Sequence, residues 1–271
     1  MARTVKDYFS FVFQSSSPSE QDIERATAGI KTRLCDDISM GLSSAFTADD
    51  VRTALFSMSP TKAPGPDGFQ AIFFQKCWGS IGGEVSRLCL RILNGEMSVR
   101  EFNKTNVVLI SKKKNPSALT DFCHISLCSV IYKIVTKCVA NRLKPSLHNL
   151  ISPSQSAYVP GRLIFVNVLV AFESLHSLAS RKYGKRGQMT LKLAMSKAYD
   201  RVEWAFLRAI MVKMNLPSNL ILLILDCISS SSLVVLLNGR AVCSVAPSRG
   251  LRQGCPLSPY LFSFAQRLFP V

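Results

Sequence analysis

The sequence predicts an α+β fold, and its pattern of helices and strands is the main evidence. Helical apolar periods recur along the chain, and short strand-like runs lie between them without strict βαβ alternation. The clearest strand signal is SSLVVLLNGRAVCSVAPSRG at 231–250, where an Asn-Gly pair separates two apolar runs and predicts a β-hairpin. With 271 residues, 48% of them hydrophobic and 18% charged, the chain can bury packed cores.

Residues 1–60 are predicted to form a helical, partly solvated lead-in. Ser19 and Thr47 are the expected N-caps of two helices, since each precedes a helical pattern with acidic residues near its start. The second helix has an apolar stripe made of Val51, Leu55 and Met58. The loop SPTKAPGPDGF at 59–69 then demands tight turns, because three prolines and two glycines interrupt regular structure.

The remaining elements follow from periodicity and from turn residues. In chain order we predict a helix pair at 71–95 ending at Gly95, a strand and basic loop at 106–115, a helix at 126–147, an irregular stretch at 151–162, a helix around NVLVAFESLHSLASRK, a strand at 191–195, and helices around WAFLRAIMVKMN and NLILLILDCI. The segment RQGCPLSPYLFSFAQRLF closes the sequence with a turn and a helix start.

The charge balance favours a polyanionic partner. Lys and Arg number 33 against 17 Asp and Glu, which gives a net charge of +16. Nucleic acid is the first expectation, and an anionic membrane surface is the second. No apolar run approaches the roughly 20 residues needed to cross a bilayer, and no secretory signal is evident. We therefore expect no membrane partner.

The nine cysteines are scattered, with no CxxC pair and no Cys/His ladder. An odd number in apolar surroundings predicts free, buried thiols rather than a disulfide framework or a zinc site. Free thiols are typical of a reducing compartment, so we expect an intracellular protein, nuclear or cytoplasmic.

Several cations are candidates for contact with nucleic-acid phosphates. They are Lys62 in the Pro/Gly loop, Lys112, Lys113 and Lys114 in the basic loop, and Lys133, Lys137, Arg142 and Lys144 on a helix. Residues 133, 137 and 144 share one helix face and would form a positive stripe. A solvated helix face is an equally good interpretation, and a Pro/Gly cluster is most simply a loop.

The stretch RQGCPLSP has chemical content of its own. Gln253 and Gly254 place an amide side chain and exposed backbone at a turn, where both can approach a ligand. Arg252 adds a guanidinium fork that suits phosphate.

Taken in this order, the motifs resemble the reverse transcriptase of non-LTR (LINE-type) retrotransposons, most closely the plant kind. The matching blocks are KAPGPDGF, NVVLISKKKNPSALTDF-HISLCSVIYKIVTKCVANRL, ISPSQSAYVPGRLI, LKLAMSKAYDRVEW and PSRGLRQGCPLSP. The resemblance implies right-hand polymerase fingers and an incomplete palm, with the thumb absent. It divides the chain into a lead-in at 1–60, a fingers-like region at 61–188 and a partial palm at 189–271.

The chain departs from this family at positions that matter for chemistry. The first palm motif reads like LKLDMSKAYDRV in the family, so Ala194 stands where the resemblance implies a metal-binding aspartate. Cys123 stands where an arginine would touch the triphosphate, and His124 replaces the proline that follows it. Phe165 and Val166 replace a Thr-Asp pair. The second palm motif, Tyr-Ala-Asp-Asp, does not occur in the sequence.

Other family positions are retained. The resemblance makes Tyr199 the steric gate against a ribose 2′-OH, and Gln253 and Gly254 a nucleotide-cradling pair. Asp200 lies six residues after the aspartate position and is expected to support the start of a helix. The intact family uses Mg²⁺ and a dNTP, but we expect no metal or other cofactor in this chain.

The sequence thus predicts a reverse transcriptase domain fragment of retrotransposon origin that does not catalyse. Two alternatives stay open: a non-catalytic module that binds RNA or RNA–DNA duplex, and an expressed relic with no biochemical role.

Overall fold

A computed structural model describes residues 2–31, 33–180, 189–192 and 195–266. Its helices are α1 (Ala2–Phe13), α2 (Glu20–Thr27), α3 (Asp36–Leu42), α4 (Ala48–Phe56), α5 (Ala71–Lys76), α6 (Trp78–Leu93), α7 (Val130–Leu143), α8 (Leu147–Leu150), α9 (Ile164–Ser180), α10 (Trp204–Lys213), α11 (Ser218–Ser229) and α12 (Ser258–Ala265). Its strands are β1 (Lys104–Ser111), β2 (Phe122–Cys128), β3 (Ser232–Leu237) and β4 (Arg240–Val245). The α+β prediction is confirmed.

The four strands form one mixed sheet in the order β2-β1-β3-β4. β1 runs antiparallel to β2 and parallel to β3, and β3 runs antiparallel to β4. The predicted hairpin is confirmed as β3–β4. Its turn places Asn238 at φ 51° and Gly239 at φ 77°, and two consecutive left-handed residues are the requirement of a type I′ turn.

The sequence does not predict strand β2, because residues 126–128, at its end, fit the helical period of the segment 126–147. In the structure the strand continues to Cys128, and α7 begins only after Ser129, whose hydroxyl accepts a hydrogen bond from the Tyr132 N–H at 3.3 Å. Pairing with β1 places Val107 opposite Ser126. Tertiary pairing therefore overrides the local helical pattern.

The strand predicted at 191–195 is not observed in the part of it that is described. Leu191, Lys192 and Met195 are exposed and lie outside any strand, while Leu193 and Ala194 lie outside the described residues. A strand needs a neighbour for its backbone hydrogen bonds, and the sheet's edges, β2 and β4, do not pair with the described residues of this segment.

The predicted helix starts at Ser19 and Thr47 are confirmed. Each hydroxyl accepts a backbone hydrogen bond from the residue three positions on, and the side chains of Asp22 and Asp50 complete capping boxes. Leu55, in the predicted apolar stripe, is fully buried. The helix pair at 71–95 is also confirmed, as α5 and α6.

The described residues bury two cores. The larger one packs α4, α6, α7, α10, α11 and α12 together. The smaller one packs α1 on the sheet, and Phe9, which is 1% exposed, belongs to the same buried cluster as Val107 and Val235. Helix α1 is partly solvated, as predicted: its apolar face covers the sheet, while its other face, which includes Phe11 at 67% exposed, lies in solvent. The boundaries at residues 60 and 188 stay predictions.

Helix α9 stands apart from both cores. It has no buried residue, although it is strongly apolar; Phe165 and Phe172 are 64% and 65% exposed. Within the described ranges, no helix combines the length and apolar character required to span a bilayer.

All nine cysteines are free, and those at 89, 128, 138, 227 and 255 are buried. Burial raises the pKa of the Cys89 thiol to about 12. The prediction of free thiols is confirmed, and the prediction of burial is confirmed for these five; Cys35 is exposed, and Cys77, Cys123 and Cys243 are half-buried.

Candidate functional site

The segment 249–254 joins two parts of the candidate nucleotide site. The Leu251 N–H donates to the Tyr199 carbonyl at 2.8 Å, and the Ser126 N–H donates to the Gln253 carbonyl, also at 2.8 Å. One side of the segment therefore holds the turn at 199–202, and the other side holds strand β2.

Two glycines permit this close approach. Gly250 has φ 98°, and a Cβ there would lie 2.7 Å from the Asp200 carbonyl oxygen. Gly254 has φ 117°, and a Cβ there would lie 2.5 Å from the Ser126 carbonyl oxygen. A side chain at either position would meet backbone atoms, so the sequence RGLRQG fits where a bulkier one would not.

Gln253 lies beside the position where the family resemblance implies an arginine. The Cys123 thiol donates to the Gln253 side-chain oxygen at 3.3 Å. Both side chains are half-buried, and the neighbouring Gly254 is exposed. The structure thus brings Gln253 and Gly254 to the start of β2, and their nucleotide-cradling role stays a prediction.

Tyr199 lies on the other side of the segment. Its ring stacks on Phe262 with centroids 4.2 Å apart and planes inclined by 21°. Burial and the nearby hydroxyl of Tyr158 raise the pKa of the Tyr199 phenol. The phenol is therefore neutral over the physiological range. The stacking fixes the orientation of the ring, and its role as a steric gate stays a prediction.

Arg252 was predicted to contact a phosphate, but in the structure its guanidinium is bound by groups of the protein itself. Its guanidinium donates to the Asn103 side-chain oxygen at 2.6 Å, the Thr105 hydroxyl at 2.8 Å and the Cys227 carbonyl at 2.8 Å. Its carbon lies 4.2 Å above the centroid of the Tyr132 ring. The side chain is buried, so we assign it to the packing of the sheet.

The sequence suggested that Asp200 supports the start of a helix, but the structure gives it a different position. It lies in a 3-10 turn, Tyr199–Arg201, and its carboxylate is 2.7 Å from Nε2 of His124 on β2. Their side chains are 1% and 4% exposed respectively. The second Asp200 oxygen has no hydrogen-bond partner among the described residues.

Magnesium is the metal that the family resemblance implies, and the described carboxylates near this turn do not suit it. Asp200 is buried against His124. Glu203 accepts hydrogen bonds from Ser15, Ser16 and Arg249. Across the described ranges, no three His, Cys, Asp or Glu side chains lie close enough to hold a metal ion.

Ala194 lies outside the described residues, and its chemistry alone decides its part in metal binding. Its methyl side chain offers no oxygen ligand, and Mg²⁺ prefers oxygen ligands in tight octahedral geometry.

The Pro/Gly loop lies against the start of α7 and brings Lys62 to the predicted basic helix face. Lys133 donates to the Ala63 carbonyl at 3.2 Å, and a Cβ on Gly65 would lie 2.5 Å from the backbone nitrogen of Ser129. Burial lowers the pKa of Lys133 and of Lys137, and the charge of Lys62 lowers both further.

Lys144 completes this arrangement, since its charge also lowers the pKa of Lys137. The structure thus brings together a lysine face, which we define as Lys62, Lys133, Lys137 and Lys144. Sequence periodicity placed three of these residues on one side of a helix. The addition of Lys62 depends on the fold of the loop.

Arg142 lies on the same helix but serves the packing. It donates to the carbonyls of Ser44 and Ala45, and it lies 3.4 Å from an Asp50 carboxylate oxygen. Its guanidinium carbon is 3.3 Å from the centroid of the Phe46 ring. These contacts hold α7 against the start of α4, so we do not include Arg142 in the lysine face.

The basic loop after β1 is exposed at all three lysines. Lys113 forms an ion pair with Asp121 at 2.9 Å. The hydrogen bond from Lys113, with those from the Ala118 and Ser117 N–H groups, lowers the pKa of Asp121 to about 2. Lys112 and Lys114 form no ion pair within the described ranges.

Comparison with known proteins gives the class to which this fold and site belong. A family model described as "Reverse transcriptase (RNA-dependent DNA polymerase)" matches residues 110–268, which is more than half of the chain. The chain belongs to the reverse transcriptase family. The match includes the start of β2, the turn at 199–202 and the segment 249–254.

Individual relatives place it among reverse transcriptases of retrotransposons. It is 32% identical to "Transposon TX1 uncharacterized 149 kDa protein" of Xenopus laevis, over 83% of this chain and 17% of that protein. It is 28% identical to the Pol polyprotein of the type-1 retrotransposable element R2 of Nasonia vitripennis, over 74% and 19% of the two lengths. The type-2 element R2DM of Drosophila melanogaster gives 26% identity over 81% and 20%. The chain spans about a fifth of the length of these relatives.

Proposed function

We propose that this chain is a reverse transcriptase domain of retrotransposon origin that binds nucleic acid but does not polymerise it. The observation that carries the proposal is Ala194, which stands where the family resemblance implies a metal-binding aspartate. Polymerisation of nucleotides is phosphoryl transfer, and it depends on metal ions that stabilise the charge of the reacting phosphate.

The two carboxylates that follow Ala194 most closely in sequence do not replace the missing one. Asp200 is buried, and one of its oxygens lies against His124. Glu203 has hydrogen bonds from two serines and an arginine. Turning either carboxylate toward a metal would break these contacts and leave buried polar groups unpaired, which is costly.

The lysine face supports retained binding. Lys62 and Lys144 act electrostatically on the half-buried Lys133 and Lys137; the carboxylate of Asp67 acts on Lys133 as well, but none of the four lysines forms an ion pair among the described residues. Such a surface attracts a polyanion, and binding releases condensed counterions from the nucleic acid. The net charge of +16 acts in the same direction over a longer range.

Fluorescence anisotropy of a labelled RNA–DNA hybrid tests the binding half of the proposal. We expect measurable affinity that falls steeply with salt. Replacing Lys62, Lys133 and Lys137 with Gln should weaken binding and reduce the log–log salt slope by about one for each phosphate that is no longer neutralised. Sequence preference should be weak, because these groups reach phosphates rather than bases.

A matched control carries the same charge change elsewhere. Replacing Lys6, Lys31 and Lys213 with Gln removes three positive charges outside the lysine face and should leave the slope nearly unchanged. Absent or salt-insensitive binding by the unmodified chain would contradict the proposal, as would equal reductions of affinity in the two triple variants.

Helix α9 favours a second candidate, an expressed relic without a biochemical role. A 17-residue helix with no buried residue is an apolar surface of the kind that leads to aggregation. Static light scattering during thermal unfolding distinguishes the candidates. A cooperative transition of monomeric protein would count against the relic, and aggregation before unfolding would support it.

A further inference from the structure

Lys197 is held at the start of β2 by two contacts of its ammonium group. Nζ donates to the Phe122 carbonyl at 3.2 Å and lies 3.4 Å from Nδ1 of His124. A lysine ammonium can only donate, so Nδ1 is the acceptor. The proton of the neutral imidazole is then on Nε2, which donates to Asp200 at 2.7 Å. Lys197, His124 and Asp200 thus form a chain of hydrogen bonds in which Lys197 donates to His124 and His124 donates to Asp200.

The inner end of this chain is rigidly enclosed. The rings of Phe9 and Phe13 on α1 meet the His124 ring edge to face, with centroids 5.7 and 5.9 Å away. The imidazole and the Asp200 carboxylate are almost completely buried. His124 therefore offers Lys197 a fixed anchor rather than a mobile surface contact.

The backbone of Lys197 is also constrained. Its φ of 54° lies in the left-handed region, which is uncommon for a lysine and persists only when the surroundings enforce it. The Asp200 N–H donates to the Lys197 carbonyl at 3.0 Å and closes the turn. Both ends of the side chain are thus fixed, and the half-exposed ammonium retains a third proton to donate.

A second cation, Lys112, lies close to this ammonium, because it directly follows Ser111, which pairs with Phe122, the residue whose carbonyl Lys197 binds. Burial lowers the pKa of Lys197, the charge of Asp200 raises it, and the charge of Lys112 lowers it again. Asp200 is directed to His124, and neither lysine forms an ion pair within the described ranges. Two like charges held close together repel each other, and a bound anion relieves that repulsion.

We propose that Lys197 and Lys112 form a phosphate-binding subsite at the start of β2, with His124 as the residue that positions Lys197. The subsite lies next to Cys123, so it supplies a cation where the arginine expected from the resemblance is missing. Its ligand is a phosphate group, carried either by a free triphosphate or by a nucleic-acid strand. The inference rests on the proposed function in that it expects a nucleic-acid or nucleotide ligand.

Isothermal titration with inorganic tripolyphosphate and with a short single-stranded oligonucleotide tests the subsite. We expect Lys197→Met to weaken binding of at least one probe about tenfold or more, since the variant removes a charge-assisted hydrogen bond. Lys112→Met should act in the same direction. Lys31→Met, which changes an exposed lysine outside both proposed binding surfaces, is the matched control. Weaker binding of tripolyphosphate identifies a free triphosphate as the ligand, and weaker binding of the oligonucleotide alone identifies a strand phosphate.

A test of His124 as the residue that positions Lys197 must distinguish this role from a general loss of stability. His124→Gln retains a donor and an acceptor, so it should keep most of the affinity, whereas His124→Ala should abolish it. Binding of the RNA–DNA hybrid to the lysine face should persist in both variants, which shows that the protein is folded.

Two results would overturn the inference: unchanged affinity of Lys197→Met for both probes, or failure of the unmodified chain to bind either probe. The proposed function fails separately, if hybrid binding is absent or does not depend on the lysine face.

Discussion

The guanidinium of Arg252 joins three separate parts of the chain. It reaches Asn103 and Thr105 at the start of β1, the Cys227 carbonyl in α11 and the face of the Tyr132 ring in α7. Asn103 is itself bonded to the Cys227 carbonyl at 2.9 Å. The buried cation thus satisfies the Asn103 side-chain oxygen and links the sheet to the helices.

Arg252→Met should therefore destabilise the fold, with nucleic-acid affinity unchanged for the protein that remains folded. Removing the donors leaves buried acceptors unpaired, at a cost of about 2–4 kcal/mol in the free energy of unfolding. Urea denaturation followed by circular dichroism measures the change. Lys114→Met is the control and should have a negligible effect; equal stability of the two variants would show that Arg252 is free for a ligand.

His124 shows why some residue roles could not be predicted from sequence. The resemblance marked the position as a departure from proline, but the partner Asp200 is 76 residues away in sequence. Lys197 escaped notice because the motif directs attention to Ala194 and Tyr199. Its significance depends on a left-handed φ and on contacts with β2, neither of which leaves a pattern in the sequence.

Helix α1 is fastened to the rest of the molecule at its C-terminal end. The Arg249 guanidinium donates to the Val12 carbonyl at 3.0 Å, and cations are favourable near the negative end of a helix dipole. Glu203 accepts from the Ser15 hydroxyl at 2.6 Å and from the Ser16 N–H at 3.0 Å. These contacts hold α1 over the sheet and over His124.

The docking of α1 should depend on pH through Glu203. Burial acts to raise the pKa of this carboxyl, but hydrogen bonds from Ser15, Ser16 and Arg249 outweigh it and hold the pKa below the ordinary 4.5. Its stabilising contribution is then complete above pH 4.5 and disappears as the pH falls through the lowered pKa. The free energy of unfolding can be measured by denaturation at several pH values. Below pH 4.5 it should fall less with decreasing pH in Glu203→Gln than in the unmodified protein.

Glu24→Gln is the control for that experiment, because Glu24 is exposed. It should leave the pH profile unchanged. A Glu203→Gln profile that follows the unmodified protein would mean that Glu203 does not hold α1.

At the scale of elements, the sequence predicted what local chemistry determines. Capping residues located α2 and α4, and an Asn-Gly pair located the β3–β4 turn. It failed where distant pairing decides: β2 is a strand because β1 lies beside it, and 191–195 lacks a described neighbour. The sequence predicted that Arg252 and Arg142 contact phosphate, but in the structure both guanidinium groups bind protein acceptors and stabilise the packing.

At the scale of the whole molecule, the features that the chain retains concern nucleic-acid binding, and the position that has changed concerns catalysis. The reverse transcriptase family model matches residues 110–268, and the basic charge and the lysine face favour binding of nucleic acid. Ala194 stands where the family resemblance implies a metal-binding aspartate, and the carboxylates of Asp200 and Glu203 are engaged elsewhere. Binding and catalysis are therefore expected to be separable in this chain.

Primer extension tests that separation most directly. The purified chain is mixed with an RNA template, an annealed DNA primer, dNTPs and Mg²⁺, and hybrid binding is measured on the same preparation. We predict a bound hybrid and no extended primer. Templated, dNTP-dependent extension by the purified chain would contradict the account, because it would require a metal site that Ala194 does not provide.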